Sequence, residues 1–301
     1  MRNLWSTTTS LLRHHPLLWL PVIVADVASF WLSWLERLIH TQLIEQVVIW
    51  LSQSHSVLGN TPDYNSLTPA VSAKAQALTA PLVWTTRYLG ICLYTAALIA
   101  TAAIVYNLSE PEAAPLKQAR SGIWTSRRRI LIFSLKFFFL NAVVGILGAW
   151  LLSWALQLQS LWEKTTSPSS TLRIAVEKSN LPVLLPALLL AAAIATIMAP
   201  VAVRLLQPKG VPLTPQQAKS ARHASLIVVA VAAALQVLIQ QVEPYLFQHL
   251  GTATPTLLTV GFAVSLITAI PFVLLYVALS LIATPAHPAP ALELPPALPA
   301  E

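Results

Sequence analysis

LLRHHPLLWLPVIVADVASFWLSWLERLI, residues 11–39, decides how this chain folds. Arg13, His14 and His15 open it, and an apolar run from Leu17 to Ile39 follows with few polar interruptions. About 20 helical residues cross roughly 30 Å of hydrocarbon, so this run can span a bilayer. A backbone in lipid must satisfy its hydrogen bonds internally, and an α-helix does so within a single segment. The run is longer than the apolar core of a secretory signal and carries no A-x-A site, so it is expected to persist as a helix.

Five further windows repeat the pattern, and with the first they cover residues 17–39, 81–107, 130–158, 181–206, 224–242 and 255–283. They are too long and too uniformly apolar for barrel strands. With 56% hydrophobic and 10% charged residues and a mean hydropathy of +0.67, the 301-residue chain reads as an integral membrane protein. The expected fold is all-α: a polytopic bundle of six transmembrane helices in three hairpins, with short interfacial helices over 11–20 and 119–131.

Basic residues set the expected orientation. Arg2 and Arg13 precede the first window, and Lys117, Arg120, Arg127, Arg128 and Arg129 precede the third. Arg204, Lys209, Lys219 and Arg222 separate the fourth from the fifth, while the alternate loops hold only Arg37, Lys74, Lys164, Arg173 and Lys178. The positive-inside rule then puts the N-terminus in the cytoplasm, and six spans return the C-terminus there, in a bacterial inner membrane. The net charge of +7 is read as topology and attraction to anionic headgroups at the cytoplasmic face, with no nucleic-acid partner expected.

Between the first two spans, residues 40–80 are expected to form an extracytoplasmic loop. Leu43, Ile44, Val47, Val48 and Leu51 follow the spacing of a one-sided helix within it. Pro62 and Pro69 are expected to end any helix, leaving room for a second short one near 70–79. The Pro-rich segment 284–301 reads as an extended, disordered tail.

Asp26 is the sharpest candidate for chemistry. It lies about nine residues into the first span, at a depth of ~13 Å, where an ionised side chain is costly. At about 100° per residue, Asp26, Ser29, Ser33, Arg37 and His40 fall within an arc of roughly 80°. Such a stripe faces protein or water, and it has two readings: a proton- or cation-handling group, or an interhelical hydrogen bond that fixes packing. Gln236 and Gln240 lie on a matching stripe of the fifth span, where an amide could meet Asp26 near mid-membrane. Lys136 shares a face with Leu140, Val143 and Leu147 and is expected to snorkel toward headgroups. On the opposite face, Ser134, Asn141, Gly145 and Gly148 are expected to mark a helix contact. Arg87, flanked by Trp84 and Tyr88, reads as an interfacial anchor. Ala187, Ala191, Ala195 and Ala199 form a small-residue ladder that would admit a close helix.

Nucleotide-binding, zinc-protease and nucleophile-elbow motifs are absent from the sequence. Cys92 is the single cysteine and the seven histidines are dispersed, so no metal, cofactor or internal disulfide is expected. The opening LLRHHPLLWLPVIVADV resembles the start of several uncharacterised bacterial six-span membrane families. It is also similar to the membrane domain that some glycerophosphodiester phosphodiesterases carry beside a catalytic domain. Those likenesses imply a membrane role and supply no functional residues. The expectation is a non-enzymatic assembly or accessory component that meets a membrane-protein partner or a second copy of itself. The alternative is a small transporter or permease subunit with a polar site around Asp26, Ser29, Ser33, Gln236 and Gln240.

Overall fold

A computed structural model describes residues 2–57, 64–108, 114–165, 181–207, 211–250 and 254–284. Among them the chain is almost entirely helical and contains no strand. The elements are α1 (Arg2–His14), a 3-10 turn (Pro16–Trp19), α2 (Leu20–Val57), α3 (Tyr64–Tyr106), α4 (Pro115–Thr165), α5 (Leu181–Leu206), α6 (Pro215–Leu250) and α7 (Thr254–Ala283). Six helical stretches are long and apolar enough to cross a membrane: Pro16–Leu43, Ala77–Tyr106, Pro115–Leu151, Leu188–Leu206, Pro215–Ile239 and Leu258–Ala283. The chain is an all-α, multi-pass membrane protein.

Pro16 lacks an N–H and its ring crowds the preceding turn, so α1 stops at His14 and the chain restarts through the 3-10 turn. Thr7, Thr8 and Thr9 return their hydroxyls to carbonyls of the same helix, to Asn3 at 2.7 Å, Leu4 at 2.8 Å and Trp5 at 2.9 Å. That satisfies polar groups which a lipid-facing or packed surface could not. The interfacial helix expected over 11–20 is thus displaced toward the N-terminus and packs on α7. The one expected over 119–131 has no separate existence, because no proline lies between Pro115 and Thr165 and α4 runs through unbroken.

The segment 40–80 also departs from expectation. Helix α2 continues to Val57 and α3 begins at Tyr64, so most of the expected loop is helical extension reaching about 20 Å past the apolar windows. Pro69 falls within α3 and does not end the helix. Residues 58–63, including Pro62, and the tail beyond Thr284 lie outside the described residues.

Consecutive spanning helices pack as hairpins, α2 with α3, α4 with α5 and α6 with α7. Helix α3 also packs on α4, α5 on α6, and α7 returns to α2, α3 and α5. Half of the spanning windows of α3 and α7 is buried against 11% for α4, so α3 and α7 are the interior staves and α4 is peripheral. The apolar core gathers toward one end, where Leu18, Val22, Val203, Val273 and Val277 are fully buried. Gly122 permits the close approach of α4 to α3, since a Cβ there would lie 3.2 Å from the Cβ of Ala103.

Polar bonds finish the same end. Thr214 and Gln217 form a reciprocal capping box: the Gln217 N–H donates to Thr214 Oγ1 at 3.2 Å and the Thr214 N–H to Gln217 Oε1 at 3.1 Å. Gln217 Nε2 then donates to the Ile282 carbonyl at 3.0 Å and Gln207 Nε2 to Gln217 Oε1 at 3.1 Å. The start of α6 is thereby tied to the ends of α5 and α7.

Candidate functional site

Asp26 sits on the third helical turn after Pro16 and is 4% exposed. The Tyr94 hydroxyl of α3 donates to Oδ1 at 2.7 Å, and the Ser265 hydroxyl of α7 donates to Oδ2 at 2.5 Å. Both carboxyl oxygens are therefore occupied, and three helices meet on one side chain. Among the described residues no Lys or Arg pairs with it. Hydrogen bonds, rather than a counter-ion, hold this group inside the bundle. The Tyr94 ring rests against Phe272, with centroids 5.2 Å apart, which fixes the direction of its hydroxyl.

The rest of the predicted stripe divides by depth. Ser29 is half-buried where α2 passes α3, its Oγ 3.3 Å from the place a Gly90 Cβ would take. Ser33 is exposed, as are Arg37 and Lys136. Arg87 is exposed too and lies over the Trp84 ring at 5.8 Å. Glu36, which the stripe passes over, accepts a hydrogen bond from Thr86 and makes a second polar tie between α2 and α3. Ser134 is fully buried and donates to Thr95 at 3.1 Å, linking α4 to α3. Thr86, Tyr94 and Thr95 of α3 are each engaged by a different side chain of a neighbouring helix.

The structure does not bring Gln236 to Asp26. Gln236 faces a cavity of about 630 Å³ bounded by α3, α4, α5, α6 and α7, and Asp26 is not among its lining residues. Gln240 follows on the same helix, and its side chain lies outside the described residues. Tyr94 is common to both places: its hydroxyl is on Asp26 and its ring lines the cavity. Ala191, Ala195 and Ala199 line the same space, so the small-residue ladder of α5 leaves room instead of receiving a helix along its length. Asn141 lines it as well. Gly145 is exposed, with nothing within 4 Å of a Cβ placed there, whereas a Cβ on Gly148 would meet Leu190 of α5 at 2.7 Å. Of the two expected contact glycines, only Gly148 touches a neighbour.

Sequence reasoning missed Tyr94, Ser265 and Thr86. Each is one hydroxyl in an otherwise apolar turn, and nothing in its own helix indicates which acid it meets.

These features define a class, the polytopic α-helical membrane proteins with a hydroxyl-bound intramembrane acid. No protein-family model, curated protein or solved structure matches the chain.

Proposed function

We propose that this protein is a non-enzymatic accessory or assembly component of a bacterial cytoplasmic membrane, with both termini cytoplasmic. The observation that carries the reading is the closed coordination of Asp26. The one carboxylate that hydropathy singles out has both oxygens taken by α3 and α7, so it acts as a fastening between helices. The orientation rests on the Lys and Arg bias of alternate connections. The likeness of residues 11–27 to uncharacterised six-span families agrees with such a role. Gentle solubilisation and affinity recovery of the full chain tests it: the same membrane-protein partner, or a second copy of the chain, should return with the native protein and with Asp26→Asn. Repeated recovery of the chain alone, as a monomer, would overturn the assignment.

A small transporter or permease subunit is the second reading, and the cavity holding Gln236 favours it. It requires proton- or cation-dependent uptake in proteoliposomes that disappears in Asp26→Asn. Uptake that survives the substitution would remove Asp26 from any transport step.

A further inference from the structure

The cavity is long, and its described lining is uncharged. Its wall on α5 runs from Leu188 to Ala202, about 20 Å along the helix axis, and its ~630 Å³ falls within the range of roughly 300–1,000 Å³ found for small-molecule sites. Among the described residues no Asp, Glu, Lys, Arg or His lines it. Most of the wall is aliphatic or aromatic, with Phe133, Phe137 and Phe272 facing alanines of α5 and α6. Two carboxamides interrupt this surface, Asn141 from α4 and Gln236 from α6, and neither has a hydrogen-bond partner among the described residues. Ser225 and Thr95 add hydroxyls at the wall.

Bare amides in a hydrocarbon setting are costly, and a molecule that exchanges hydrogen bonds with them is favoured over an alkyl chain alone. A fixed charge would find no counter-ion in this space and would lose its hydration on entry. The apolar length suits a hydrocarbon tail, which the surrounding bilayer supplies.

We propose that the cavity between α3, α4, α5, α6 and α7 is a binding site for a neutral long-chain lipid, its tail along the alanine wall of α5 and its uncharged carbonyl or hydroxyl group against Asn141 and Gln236. An isoprenoid quinone and a long-chain ester share this chemistry. The site goes beyond both functional readings, because either an accessory component or a carrier can hold such a molecule.

The test uses the full chain in nanodiscs, photolabelled with a diazirine-bearing octadecanol. Competition is measured with three probes: a decyl-substituted benzoquinone, monooleoylglycerol and oleyl sulfate. At least one neutral probe should compete at about one molecule per chain. Oleyl sulfate, with a similar chain and a fixed charge, should be at least roughly tenfold weaker. The better of the two neutral probes identifies the source of the lipid. Ala195→Phe, which fills the cavity, should lower labelling about tenfold, and Asn141→Leu with Gln236→Leu should weaken the neutral competitor by roughly as much. Val143→Phe on the exposed face of α4 should label like the native chain. If Ala195→Phe is not monodisperse, Ala232→Phe makes the same test from α6. Failure of both neutral probes, parity of oleyl sulfate with them, undiminished labelling of the filled variant or undiminished competition in the Leu double variant would each overturn the proposal.

Discussion

At the scale of residues, the bundle is fastened by a few hydroxyls. Side-chain hydrogen bonds between membrane helices contribute about 0.6 kcal/mol on average and up to ~1.7 kcal/mol, less than burial alone would imply, because the unfolded chain in the membrane also finds partners. Asp26 accepts two such bonds and belongs near the upper end. Tyr94→Phe is therefore expected to destabilise the protein by roughly 1–2 kcal/mol and Asp26→Leu by somewhat more, since the latter leaves two hydroxyls unpaired. A double-mutant cycle of Asp26→Leu and Tyr94→Phe, followed by unfolding in detergent, should return a coupling of about 1 kcal/mol, and additive losses would mean the bond contributes nothing. Asp26 itself was legible in the sequence because an acid deep in an apolar run is costly and needs a partner. Its partners were not, being 68 and 239 residues away in helices whose adjacency no periodicity encodes.

At the scale of elements, helix identity was legible and helix ends were less so. Apolar length announces a span, but it says nothing of how far the helix continues beyond hydrocarbon, and α2, α3 and α4 all continue well past it. Glycines show the same limit. Gly145 and Gly148 share a face on a helical wheel, yet α5 reaches only one of them. Gly145→Ala should leave stability unchanged or raise it by up to about 1 kcal/mol through helix propensity, as there is open space for the methyl group. Gly122→Val should cost about 1–3 kcal/mol, because Ala103 offers no flexible side chain that could move aside. Equal melting temperatures for the two variants would refute the proposed close contact of α3 and α4. Thr214→Ala removes half of a capping box, and roughly 1 kcal/mol of stability should go with it. Faster amide exchange at residues 216–218 would report the loss, and unchanged protection there would show that the cap is idle.

At the scale of the whole molecule, the arrangement follows from alternation. Six spans in sequence place the starts of α2, α4 and α6 beside the ends of α3, α5 and α7, and the bonds joining Gln207, Gln217 and the Ile282 carbonyl lie at that shared end. The basic connections converge there because each one precedes an even-numbered helix, which is how the charge pattern in the sequence anticipated the threading. What it could not anticipate is the cavity, which five helices line with small residues that would equally suit close packing. Reporter fusions after Asn60 and after Gln118 test the six-span bundle most directly. Signals from opposite sides of the membrane are the result this architecture predicts, and signals from the same side would contradict it.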